Sequence, residues 1–396
     1  MSEVVIAGAG QAAAQLVQSL RHGGYTGSIR MIGDEPYAPY QRPPLSKKFL
    51  TERPPAETLY FRAENFWHDQ GVTVDFGVAV ASIDRAVKQI TLRDGRIVDY
   101  GTLIVATGTR ARPLPLPGAD LPGVFSLRQI DDVRRLRGPL DNARHVVIVG
   151  GGYIGLEVAA VARGEGREVT VLEAEDRVMK RVTSPVISTF MQDFHAGRGV
   201  VIRLGARMAA VEGEGKVTQV RLADGAALPA DLVLLAVGAK PNDDIAAAAG
   251  LGCEDGVVVD EHGRTSDPDI YAAGDCTKFP SKRYGRRLRL ECVQNAIDQA
   301  KAVAAAMLGK PQLYDPVPWF WSDQYELKLQ MAGLSEGYDD ARTVGDVAAA
   351  RFSVEYRKGG RLIAVDAVND GRAYMSGRKR IAEETQPPGG VSSPLP

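Results

Sequence analysis

VVIAGAGQAA (4–13) and VVIVGGGYIG (146–155) read almost as copies of one another. Each begins with four apolar residues, too short for a helix and rich in β-branched Val and Ile, then runs into clustered glycine and a helical pattern. After the first copy, Leu16, Val17 and Leu20 form an apolar helix face that stops at Gly23 and Gly24, and residues 29–32 supply the next strand. After the second, residues 156–162 supply the helix and residues 169–172 the strand. Both copies are therefore β-turn-α-β units, and they predict two doubly wound parallel sheets in an α/β chain.

The glycines in these turns have separate duties. In Gly8-Ala9-Gly10-Gln11-Ala12-Ala13, a G-x-G-x-x-A pattern, the first glycine permits the tight turn and the second lets a pyrophosphate approach the backbone. Ala13 is small enough for the helix to lie close to the strand, and the phosphates meet the positive end of the helix. An acid, Asp34 or Glu35, follows about 20 residues on and can accept a ribose hydroxyl. Gly150, Gly152 and Gly155 fit the stricter G-x-G-x-x-G, with Tyr153 and Ile154 inside the turn and Glu173 at the end of the following strand. Two such Rossmann-type sites imply two different dinucleotides, of which a flavin and a nicotinamide are the natural pair. Glu173 bears on which nicotinamide. A carboxylate about 4 Å from a 2′-phosphate repels it by about 1 kcal/mol when solvated and about 4 kcal/mol at intermediate dielectric. That favours NADH over NADPH by roughly one to three orders of magnitude. Arg167 and Arg177 lie close in sequence and can soften the preference.

At roughly 150 residues per domain, 396 residues suggest two or three domains. Four prolines crowd residues 112–122, which excludes a helix or central strand there and marks the crossing out of the first unit. The second unit closes with DLVLLAVGAKPN (231–242), and the chain returns through an Ala-rich helix to IYAAGDC (270–276). From about residue 313 aromatics and alternating strands (351–356, 362–368) predict a third, antiparallel α+β domain. The expected division is 1–112 with 241–312, then 113–240, then 313–384, with a Pro-, Gly- and Ser-rich tail (385–396) expected to be disordered. Lys+Arg (48) and Asp+Glu (49) cancel to a net charge of −1, so the chain lacks the positive field of a sequence-independent nucleic-acid binder. No apolar run reaches the roughly 18 residues of a membrane span, so a cytoplasmic protein with no membrane partner is expected. Cys253, Cys276 and Cys292 have neither C-x-x-C nor zinc-ligand spacing, and no metal site is expected.

The order G-x-G-x-x-A, PPLSK (43–47), ATG (106–108), GGGYIG with Glu157, GAKPN (238–242) and YAAGD (271–275) resembles the two-dinucleotide flavoprotein reductases of glutathione-reductase-like architecture. The strings YQRPPLSK (40–47), EAEDRV (173–178), ECVQNAIDQA (291–300) and PWFWSDQY (318–325) are similar to the NADH-dependent, FAD-containing ferredoxin reductases, over residues 4–368. The resemblance implies FAD in the first site, held by Gly8, Gly10, Ala12, Ala13, Asp34, Arg42, Lys47, Val80, Ala106, Thr107, Gly108, Arg128, Gly274, Asp275 and Val293. Within that set Arg42 is expected to neutralise a phosphate, and Asp275 to hold the ribityl chain or the pyrophosphate edge. NADH is implied in the second, at Gly150, Gly152, Tyr153, Ile154, Gly155, Glu157, Glu173 and Gly238. Lys47 and Glu157 are implied to pair beside the flavin, where a positive charge stabilises the anionic reduced ring. Trp321 is implied to lie against that ring, while at least one of Trp319, Phe320 and Trp321 is expected to be core.

Disulfide reductases of similar architecture carry a C-x-x-x-x-C pair and a proton-handling histidine. No two cysteines here lie so, and His22, His68, His145, His195 and His262 fall outside the cofactor motifs, His195 reading as a surface helix residue. The flavin itself must then deliver electrons outward. A two-iron two-sulfur ferredoxin, serving a haem monooxygenase or a ring-hydroxylating dioxygenase, fits that role. Ferredoxins are usually acidic, and the run 282–289 offers Arg286, Arg287 and Arg289 as a docking strip; a solvated charged loop is the plain alternative. NADH oxidase, rubredoxin reductase and a regulatory or nucleic-acid-binding flavoprotein stay open at this point, the near-zero charge weighing against the last.

Overall fold

The computed structural model describes residues 3–384, so the tail expected to be disordered lies outside the described residues. Two five-stranded sheets, all parallel, dominate. The first runs in the order Ile270–Ala272, Thr102–Val105, Val4–Ala7, Ile29–Gly33, Val72–Phe76. The second runs Val201–Arg203, Glu168–Leu172, His145–Val149, Leu232–Leu235, Val124–Ser126. Each quoted apolar run forms a central strand, buried on both faces, which is why it reads as continuous Val and Ile and not as an alternation.

The two units also share their order of assembly. In each, the strand entering last beside the glycine strand (Thr102–Val105 or Leu232–Leu235) is preceded by a three-stranded antiparallel meander. The glycine turn thus sits where strand order reverses, the position at which open parallel sheets take ligands. Thr109–Ala111 pairs antiparallel with Ala239–Pro241, so the proline-dense crossing leaves through a two-stranded ribbon and the chain returns through its partner strand.

The C-terminal part is a five-stranded antiparallel sheet in the order Trp319–Gln324, Leu327–Gly333, Arg361–Val368, Arg351–Lys358, Asp340–Asp346. Alternation along Arg361–Val368 divides its two faces. Val365 and Ala367 pack with Tyr374 and Ile381 of the helix Gly371–Glu383. Ala364 and Val368 pack with Leu156, Val178, Ile187 and Met191 of the second unit. Burying each such Leu, Ile or Met contributes at most about 1.5–3 kcal/mol. Several together hold the Trp319–Gln324 strand against the second unit's glycine helix.

Candidate functional site

The strand Val4–Ala7 ends at Gly8, whose φ is +123°. A Cβ there would lie 2.2 Å from the Ala106 carbonyl oxygen, so the chain turns directly against the end of the neighbouring strand and only glycine fits. Gly10 opens the helix Gln11–His22, has nothing within 4 Å of its absent Cβ, and accepts the first helical bond from Ala14 N at 3.0 Å. The N–H groups of the first turn are left for a ligand. Ala12 and Ala13 are buried, and a Cβ on Gly274 would come within 3.2 Å of Ala12 Cβ. The second turn repeats the design: Gly150 (φ +109°) lies against the Ala236 carbonyl, Gly152 is open, and a Cβ on Gly155 would lie 2.0 Å from the Gly150 oxygen. Both cradles are bare backbone at a helix N-terminus, which suits a pyrophosphate.

A cleft of about 1680 Å³ joins the two units and the C-terminal sheet, more than the roughly 300–1,000 Å³ of a one-ligand pocket. It is lined by Gly8, Gly10, Ala12, Asp34, Arg42, Lys47, Val80, Ala106, Thr107, Gly108, Arg128, Gly274, Asp275 and Val293. Ala13 is buried behind the turn. Both acids left open by the sequence line the cleft, and their partners differ. Glu35 is bound to Arg42 at 2.7 Å and to the Tyr40 hydroxyl at 2.5 Å, whereas Asp34 is exposed on the cleft. Arg42, expected to neutralise a phosphate, spends its charge on Glu35 and also donates to the Arg128 carbonyl at 2.8 Å. Arg128 pairs with Asp275 at 2.9 Å, and burial pushes the Asp275 carboxyl up while Arg128 pulls it down. Thr107 donates to the Asn242 carbonyl at 2.6 Å, tying the strand end to the returning chain. Thr109 Oγ1 lines the same cleft, buried and with no hydrogen-bond partner among the described residues, which marks a place for a bound polar group.

Pro43 and Pro44 set a rigid turn, Pro43–Ser46, that delivers Lys47 to the cleft. Lys47 Nζ lies 2.7 Å from Glu157 Oε2, with the carboxylate side chain 5% exposed. Ser46 donates to the same oxygen at 2.5 Å and Ser322 to Oε1 at 2.6 Å. The first unit, the second unit and the C-terminal sheet therefore meet at one carboxylate.

On the second unit's side, Tyr153, Ile154 and Glu157 line the cleft, but Gly150, Gly152, Gly155, Glu173 and Gly238 lie outside its lining. Glu173 accepts from the Gly151 N–H at 2.8 Å and the Glu175 N–H at 2.9 Å, which holds its carboxylate beside the glycine turn. Arg177 is tied to the Thr183 carbonyl and Ser188 Oγ, so it braces the loop and is not free to meet a phosphate. Gly238 has φ +98° and lies in the loop between the strands Leu232–Leu235 and Ala239–Pro241. Trp319, Phe320 and Trp321 all line the cleft half-buried; Trp319 packs against the core between the C-terminal sheet and its helix, and Phe320, 4.6 Å from Tyr153, against the core shared with the second unit.

Two expectations need correction. His195 is not on the surface: it is 0% exposed and bonded to Gln324 at 2.8 Å, because the C-terminal sheet covers that side of its helix. The docking strip is not a free positive patch. Arg286 pairs with Glu336, Arg287 with Glu254 at 3.7 Å, and Arg289 with both Asp255 and Glu291, its side chain only 13% exposed. Arg289 is thereby a structural residue. All three cysteines are free thiols, and burial pushes Cys292 up to about 12 and Cys253 up to about 11. Ser46 and Ser322 were missed. Both sit inside quoted strings, yet a lone serine carries no signal of a carboxylate met from a distant segment.

Among the described residues no helix is long and apolar enough to cross a membrane, and no group of His, Cys, Asp and Glu is placed to hold a metal. The family described as pyridine nucleotide-disulphide oxidoreductase matches residues 2–300, and one described as reductase C-terminal matches residues 319–390. Rhodocoxin reductase of Rhodococcus erythropolis is 43% identical over 96% of this chain and 90% of its own length. Putidaredoxin reductase of Pseudomonas putida is 44% identical over 92% and 88%. A solved covalent complex of putidaredoxin reductase with putidaredoxin superposes with a TM-score of 0.93 at 42% identity, over 96% of this chain and 93% of that one. With both cradles, the cleft between them and a match over most of its length, the chain belongs to the pyridine nucleotide-disulphide oxidoreductase family.

Proposed function

We propose that this oxidoreductase is an NADH:ferredoxin reductase, for which bound FAD would link hydride from NADH to single-electron delivery to a two-iron two-sulfur ferredoxin. The observation that carries it is the Lys47 pair with buried Glu157 on a cleft joining two glycine cradles, with one lone thiol, Cys292, in the cleft lining and no disulfide to carry the electrons onward. Bound FAD supplies the hydride and electron chemistry; the chain binds, orients and tunes it. Gly8, Gly10 and Gly274 would admit the pyrophosphate, Asp34 the ribose, and Arg128–Asp275 the polar chain between ring and phosphates. Lys47, fixed by Glu157, would place positive potential where reduced flavin gathers negative charge. Trp321 would offer a flat contact that limits water. NADH would occupy the second cradle, with Glu173 disfavouring a 2′-phosphate.

The ribbon Thr109–Ala111 with Ala239–Pro241 supports the division 1–112 with 241–312, 113–240 and 313–384. For docking, Arg286 and Arg287 remain in the proposal and Arg289 does not. Both are about half exposed and paired with acids more exposed still. Such pairs contribute only about 0–1 kcal/mol and can be exchanged for a ferredoxin carboxylate. A cytoplasmic location and service to a haem monooxygenase or an aromatic dioxygenase complete the reading.

A screen of two-iron ferredoxins and rubredoxins, with NADH and NADPH in parallel, tests it. Ferredoxin-dependent NADH oxidation is expected. Oxygen alone sustaining turnover would mean an oxidase, rubredoxin preference a rubredoxin reductase, and NADPH preference would overturn the role given to Glu173.

A further inference from the structure

Beyond Lys47 and Ser46, Glu157 has a third contact, and that one leads away from the cleft. Ser322 Oγ lies 2.6 Å from Glu157 Oε1, Gln324 Nε2 lies 3.1 Å from Ser322 Oγ, and Gln324 Oε1 lies 2.8 Å from His195 Nε2. Glu157, Ser322, Gln324 and His195 are all at least nineteen-twentieths buried, with exposures of 5%, 0%, 1% and 0%. The chain of bonds joins the second unit's glycine helix, a C-terminal strand and the helix Pro185–Ala196.

Only one arrangement of protons satisfies these contacts. A carboxylate paired with an ammonium accepts and cannot donate, so the single Ser322 proton points at Glu157. Ser322 Oγ must then accept from Gln324, which has to present its NH2. That leaves the amide oxygen facing the imidazole, so His195 carries its proton on Nε2. His195 Nδ1 is buried with no partner, as the bare nitrogen of that tautomer would be. Burial of the ring, with Arg198 adding to it, holds the imidazole toward its neutral form against the opposing pull of the Gln324 bond. An amide in mid-chain does not relay protons. The chain instead aligns three donors head to tail, their positive ends toward Glu157.

We propose that Gln324 and His195 are positioning residues for the Lys47–Glu157 pair, acting through Ser322, and that the group at position 157 sets the direction of every hydrogen bond out to the imidazole. The kinetic consequence rests on the proposed place of Lys47 and Glu157 beside the flavin; the hydrogen-bond direction does not.

The test is long-range proton–nitrogen NMR of the FAD-loaded enzyme labelled at histidine. His195 is the one fully buried histidine of the five, and its signals are assigned as those lost in His195→Gln. It is expected in the Nε2–H tautomer. In Glu157→Gln, Lys47 can only donate, so the new carboxamide keeps its oxygen toward Lys47 and turns its NH2 to Ser322. Ser322 then donates to the Gln324 oxygen, Gln324 turns its NH2 to the ring, and His195 must move its proton to Nδ1. A His195 that stays Nε2–H in Glu157→Gln would overturn the chain. Separately, Gln324→Met, similar in length but unable to donate, is expected to lower kcat for NADH-to-ferricyanide turnover about tenfold with the NADH KM within about twofold, some 1.4 kcal/mol in the barrier. Should that variant fold poorly, Ser322→Ala against Ser322→Thr repeats the comparison, because threonine keeps the donor. An unchanged kcat beside a reversed tautomer would overturn the positioning role, and neither result depends on which ferredoxin is used.

Discussion

Lys47→Met would strip the cation from a carboxylate that is 5% exposed and 2.7 Å away. At an effective dielectric of about 20 that contact amounts to roughly 6 kcal/mol of attraction. Lys47 keeps 19% of its side chain in solvent, and the Ser46 and Ser322 hydroxyls remain to bond Glu157 in the variant. The net loss is therefore set at about 3–5 kcal/mol, the usual result of removing one partner of a buried pair. Burial without a counter-cation disfavours the charged form of a carboxylate. The loss should therefore be smaller at low pH, where a proton can stand in for the cation, and larger at high pH. Thermal unfolding of FAD-loaded wild type, Lys47→Met and the double variant with Glu157→Gln, from pH 5 to 8.5, reads this directly. The gap between wild type and Lys47→Met should widen by several degrees across that range, and the double variant should close most of the widening. A gap that is constant with pH, or one that Glu157→Gln leaves untouched, would refute the reasoning.

Gly150→Ala places a Cβ 2.4 Å from the Ala236 oxygen at φ +109°, so NADH reduction should fall by at least tenfold while FAD content by absorbance stays near wild type. Loss of FAD together with NADH turnover would show that the two cradles are not separable. Burial raises Asp366 to about 6, although Thr183 and Tyr356 both donate to it and pull it down. Its folded value lies above the unfolded one, so it removes stability as pH rises through about 6; Asp366→Asn should unfold progressively later than wild type from pH 5 to 7, by up to about 3 kcal/mol. A difference that does not change with pH would count against it. Glu173→Gln should narrow the NADH-to-NADPH ratio of kcat/KM by at least fivefold; an unchanged ratio assigns the preference elsewhere. Arg286→Glu with Arg287→Glu should raise the ferredoxin KM and flatten its salt dependence while NADH-to-ferricyanide turnover is kept, and unaltered ferredoxin kinetics would remove this strip from the docking face.

Much of the architecture was legible before any coordinates, and the reason is locality. A glycine turn between an apolar run and a helix is encoded within about ten residues, because positive φ at Gly8 and Gly150 and the bare N-termini at Gly10 and Gly152 are properties of the backbone itself. Cysteine spacing likewise excluded a redox dithiol, and alternation along residues 351–368 predicted the antiparallel sheet. What tertiary structure decided are the matters settled by residues far apart in the chain. A run of arginines looks like a positive patch until Glu254, Asp255 and Glu336 arrive to pair with it. A polar residue on an amphipathic helix reads as exposed until another sheet covers it, as happens at His195. Asp34 and Glu35 are equivalent as letters, and only the fold binds Glu35 to Arg42 and Tyr40 while Asp34 stays exposed. The serines on either side of Glu157 come from positions 46 and 322. Burial and charge compensation are sums over everything that packs nearby, so they appear only when the chain has closed on itself.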